Sequence, residues 1–90
     1  MTSKERKLLD KLRQTRRNWS CGDLTTILQG TGFEWRDGKH RVFRHPEFPD
    51  LGSYPIPRSE GLAPAYARDV LRLVEDALAR YKAQEEEGDK

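Results

Sequence analysis

This sequence is short of several things that would point to a function quickly. It has one cysteine, Cys21, in 90 residues. An intrachain disulfide and a cysteine-rich metal centre are therefore excluded, and a lone thiol suits a reducing cytosol. A small buried residue is the expected role of Cys21. The two histidines, His40 and His45, lie five positions apart, so a regular strand points them to opposite faces. Such a pair matches no metal-ligand spacing, and no metal or other cofactor is expected. No apolar run approaches the roughly 18 residues of a membrane span. No apolar segment follows the basic start, so no secretory signal is expected. Glycine-rich phosphate loops and nucleophile motifs of serine or cysteine type do not occur.

Net charge is only +2, but it is unevenly spread. Residues 1–17 carry seven Lys or Arg against two acids, and residues 36–58 carry five against three. Residues 59–90 carry five against eight. A small basic face beside an acidic end fits contact with a polyanion. At 36% charged and 34% hydrophobic, the chain reads as one thin-cored domain.

Local signals order the elements. Thr2 and Glu5 form a capping box, and Leu8, Leu9 and Leu12 line one side of a short helix reaching about Arg16. That helix needs support, which Trp19 can give. Ser20 caps a second helix, with Trp19 and Leu24 placed as a hydrophobic staple and Gly30 and Gly32 closing it. Asp37-Gly38 between β-favouring residues marks a hairpin. A two-residue loop pairs Trp35 with His40 and turns His40 towards the core. A three-residue loop, Arg36 to Gly38, pairs Glu34 with His40. Phe33, Trp35 and Phe43 then share the buried face, and Glu34, His40, Val42 and Arg44 the other. The second register buries one more aromatic, worth about 1.5–3 kcal/mol, and is preferred.

Pro46 and Pro49 end the sheet segment. "LGSYPIPR" supplies a short third strand whose Pro55 and Pro57 suit an edge. Pro64 opens a long helix in which Tyr66, Val70, Leu73, Val74, Ala77, Leu78 and Tyr81 recur at helical spacing. The expected fold is α+β: a small antiparallel three-stranded sheet with helices on one face, order α-α-β-β-β-α, in a single domain spanning 1–90. Residues 3–17 form an N-terminal helix that most simply covers core, with docking a partner and extending a polyanion-binding surface as the alternatives. Residues 84–90 form an acidic flexible tail.

One imidazole among cations is the remaining chemistry. Read for composition alone, His40 is an inert strand histidine, and Arg36, Lys39 and Arg41 are solvated surface. His45, next to Pro46, caps a turn or packs at a strand end. Read for chemistry, a neutral imidazole takes the proton of a ribose 2′-hydroxyl, and the freed oxygen attacks the adjacent phosphorus. Lys39, Arg41 or Arg44 would stabilise the added negative charge. DNA lacks that hydroxyl, so this chemistry selects RNA.

"DLTTILQGTGFEWRDGKHRVFRHPEF" followed by "YPIPRSEGLAPAYARDVLRLV" resembles the HicA toxin family of bacterial toxin–antitoxin systems. The matching positions are Gly32-Phe33, Gly38-Lys39-His40, Phe43-Arg44-His45-Pro46 and Pro57-Arg58, within a core of residues 19–83. The resemblance implies a double-stranded-RNA-binding-like fold and a cytoplasmic, metal-independent endoribonuclease that cleaves mRNA. It implies His40 as the catalytic base and a HicB-type antitoxin as protein partner. Arg36, Lys39, Arg41, Arg44 and Arg58 are the candidate substrate contacts, and Glu34 is the candidate support for His40. Lys39 stands where the family motif has serine, and Ser59 where a further histidine often follows "PR". A non-catalytic RNA-binding module and a protein-interaction adaptor on the same fold are the alternatives.

Overall fold

A computed structural model of the chain describes residues 1–88. Its elements run α1 (Ser3–Gln14), α2 (Cys21–Gly30), β1 (Glu34–Asp37), β2 (His40–Arg44), a 3-10 turn (Pro49–Leu51), β3 (Tyr54–Pro57) and α3 (Pro64–Gly88). The fold is the α+β arrangement expected, with an antiparallel sheet ordered β1-β2-β3.

Each helix start follows from its cap. The Thr2 hydroxyl accepts the Glu5 N–H, and the Glu5 carboxylate accepts the Thr2 N–H at 2.7 Å. Two of the otherwise orphaned donors of α1 are thereby satisfied. The Ser20 hydroxyl accepts the Asp23 N–H at 3.1 Å and opens α2. Trp19 and Leu24, the staple pair, are both fully buried. α1 rests on α2 and α3 through Leu9 and Leu12. Trp19 donates its indole N–H to the Thr15 carbonyl at 3.0 Å, which fixes the connection between α1 and α2.

The core joins those side chains to Ile27, Leu28, Phe33, Phe43, Ile56, Val70, Val74 and Ala77. Cys21 is buried within it, as expected. The Cys21 N–H also donates to the Ser59 carbonyl, and the Leu62 N–H to the Trp19 carbonyl. These two bonds tie the segment after β3 to the start of α2. α3 runs on through Gln84 to Gly88, so the expected acidic tail begins as helix. Asp89 and Lys90 lie outside the described residues. Among the described residues, no helix is long and apolar enough to cross a membrane.

The hairpin register differs from both expected forms. Glu34 pairs with Arg44, Trp35 with Phe43, Arg36 with Val42 and Asp37 with Arg41. The turn is therefore centred on Lys39, across which the Gly38 N–H donates to the His40 carbonyl at 3.1 Å. Pairing Trp35 with Phe43 brings Phe33 beside His45, at 4.9 Å between ring centroids. That aromatic contact and the Asp37–Arg41 ion pair outweigh the local turn preference of Asp37-Gly38. Relative to the preferred register the slip is an even number of residues, so every side chain keeps its expected face. Trp35 is the partial exception: it lies at the sheet margin and remains 38% exposed.

Candidate functional site

The sheet face turned away from the helices carries Glu34, Arg36, His40, Val42 and Arg44, all exposed. With Trp35, Asp37, Gly38, Lys39 and Ser53 they line an open groove of about 760 Å3. β2 supplies His40 at its first position, directly opposite Pro57 of β3 and immediately after the turn. No aromatic ring covers it among the described residues; its ring partners would have to come from a ligand. Arg36, Lys39 and Arg44 make no ion pair among the described residues. Their charges are thus free for an anion laid along the groove.

Three sequence-based assignments change. Arg41 is not in the groove. It shares the helix-side face with Phe43, donates to Asp37 at 2.7 and 3.3 Å and to the Thr25 hydroxyl at 3.1 Å, and lies over the Trp35 ring at 5.6 Å. Period-two alternation separates it from His40, and that signal was present in the sequence. Glu34 does not face His40. It stands opposite Arg44, four residues away along β2, or about 13 Å at the usual strand rise. It therefore cannot orient the imidazole. Arg58 lies just beyond β3, 3.9 Å from the Asp37 carboxylate, at the rim and not within the groove lining. The hydrogen bond from Arg41 holds the Asp37 carboxyl below the usual carboxylate range, with Arg58 adding a smaller share.

Val42 lies on the His40 face, where the preferred register puts it, whereas Ser53 joins the lining without any expectation from sequence. Val42 is 37% exposed in the groove floor between the cations. Ser53 enters because the β2–β3 ladder brings the chain back beside Arg44, a tertiary consequence without a local signal. A smaller hollow of about 280 Å3, lined by Arg44, His45, Pro46, Pro49, Gly52 and Ser53, continues the groove past Arg44.

His45 is structural. It is 1% exposed, stacked on Phe48 at 4.4 Å and edge-on to Phe33. Its Nδ1 accepts the Glu47 N–H at 3.2 Å, so the ring proton sits on Nε2. That N–H points at the Thr31 carbonyl and the Tyr81 hydroxyl, each at 3.0 Å. The Tyr81 hydroxyl in turn reaches the Glu47 carboxylate at 3.4 Å. Burial and the charge of Glu47 push the Tyr81 phenol upward. The network holds the far end of β2 against α3 and fixes the strand that carries His40.

Among the described residues, no three His, Cys, Asp or Glu side chains gather as a metal-ligand set. Comparison with protein-family models, with curated proteins and with solved structures gives no match to the chain.

Proposed function

We propose that this chain is a HicA-type toxin: a cytoplasmic, metal-independent endoribonuclease that cleaves mRNA and is neutralised by a HicB-type antitoxin. The observation that carries the reading is the exposed imidazole of His40 at the head of an open groove beside three unpaired cations, Arg36, Lys39 and Arg44. The order of short motifs around it resembles that toxin family. In the proposed reaction, neutral His40 takes the proton of a ribose 2′-hydroxyl. The 2′-oxygen bonds to the adjacent phosphorus, the bond from phosphorus to the 5′-oxygen breaks, and that oxygen takes a proton from solvent. Arg36, Lys39 and Arg44 stabilise the added negative charge on the phosphoryl oxygens.

Incubation of the purified chain with a defined RNA, in the presence of a chelator, tests this. His40→Ala is expected to lower cleavage by about 10²- to 10⁴-fold while RNA binding persists. Cleavage at the original rate by His40→Ala refutes the assignment. The displacement of Glu34 from His40 favours a second reading, a non-catalytic RNA-binding module, because it leaves the imidazole without a carboxylate to orient it. Under that reading the unmutated protein binds RNA and does not cut it.

A further inference from the structure

We propose a second RNA contact, a stripe of three lysines on α1 that binds the phosphate backbone outside the groove. Lys4, Lys7 and Lys11 are all exposed. At 3.6 residues per turn they fall within about 60° of arc, about 110° round the axis from Leu8, Leu9 and Leu12. They span about 10 Å along the helix, comparable with about three nucleotide steps. None makes an ion pair among the described residues. Lys11 lies over the Trp19 ring at 5.3 Å, which orients its ammonium without neutralising it.

Of the two acids nearby, Asp10 is offset by a cation and Glu5 is turned to the helix cap. The Glu5 carboxylate is held by the Thr2 N–H at 2.7 Å, and Asp10 lies 3.5 Å from Arg13. The stripe therefore presents three positive charges against one nearby carboxylate, Glu5, that no cation among the described residues offsets, a net positive surface on the helical layer.

A basic helix can also serve an anionic membrane, but that mode requires its apolar face to enter the lipid. Here Leu9 and Leu12 are buried against α2 and α3, so only the charged face is on offer. A polyanion bound through phosphates alone fits that surface. The choice of RNA as this polyanion rests on the nuclease reading of the groove.

The test is a salt titration of binding to a labelled, unstructured oligoribonucleotide, made in the His40→Ala background to prevent cleavage. Lys4→Gln, Lys7→Gln and Lys11→Gln together keep good helix formers on α1. Neutralising three phosphate contacts on a single strand is expected to make the slope of log K against log salt shallower by about 2. A charge-matched control on α3, Arg68→Gln, Arg72→Gln and Lys82→Gln, should leave the slope unchanged. An unaltered slope in the α1 variant, an equal loss in the α3 control, or preferential binding of the parent to anionic vesicles overturns the proposal. If the unmutated chain binds RNA with the expected slope change but cuts none, the nuclease reading fails and the stripe stands. Cleavage with an unaltered slope gives the reverse.

Discussion

Replacing Gly32 with alanine should unfold this protein at a markedly lower temperature, and the structure says why. Gly32 sits at φ +93°, a region that an L side chain enters at a cost of about 1–2 kcal/mol. An added Cβ would also stand 2.7 Å from His45 Nε2 and overlap the Tyr81 hydroxyl. Tyr81 is only partly buried and can swing aside. His45 cannot, because Phe48 stacks on it, Phe33 meets it edge-on, and Thr31 and Glu47 hold its two nitrogens. Overpacking at so fixed a site costs about 1–3 kcal/mol. The two effects together come to about 2–5 kcal/mol, a fall in Tm of at least about 8 °C for a domain of this size. Thermal unfolding followed by circular dichroism measures it. Tyr81→Phe in the same chain removes one of the two clashing atoms, so the double variant should lose less than the sum of the singles. A Gly32→Ala protein within about 0.5 kcal/mol of the parent would refute the account of the His45 network.

Two further expectations concern individual bonds. The Tyr54 hydroxyl donates to Asp69 at 2.8 Å, joining β3 to α3; burial and this bond push its phenol up. Tyr54→Phe should therefore lower stability by about 1 kcal/mol, read as a fall in Tm of about 4–8 °C, and an unchanged Tm counts against the bond. Arg41 holds Asp37 below the ordinary carboxylate range, so the folded state binds that proton more weakly than the unfolded chain does. The stabilisation is complete above the unfolded value, about 4, and fades as pH falls through the folded one. The Tm gap between parent and Asp37→Asn should accordingly be widest near neutrality and close on acidification. A gap that stays constant with pH would show that the ion pair is not its source.

What could be read from the sequence was what is decided locally. The capping box at Thr2, the Ser20 cap and the Trp19–Leu24 staple depend on a few adjacent residues, and each appears in the structure. The faces of β1 and β2 were also legible, because alternation survives an even change of register. The pairing partners were not. They are set by Phe33, Phe43, His45 and Ile56 meeting α2 and α3, and by Arg41 reaching back to Asp37. This is why Glu34 was placed beside His40 although it lies opposite Arg44. The same alternation that puts His40 on the groove face turns Arg41 to the other. Ser53 had no signal of its own, since only the return of β3 brings it to Arg44.

The two prolines of β3 bear on how this sheet can meet another. Proline cannot donate, so the ladder to β2 runs through Tyr54 and Ile56, and Pro55 and Pro57 fall on the outer margin. That margin offers no N–H at either position. Among the described residues, β1, with its unpaired outer side, is the flank of the sheet that can both donate to and accept from an incoming strand. A molecule with a single such flank can join one neighbour and then has little left to offer a third. Fibre growth by strand addition is thus disfavoured after the first step.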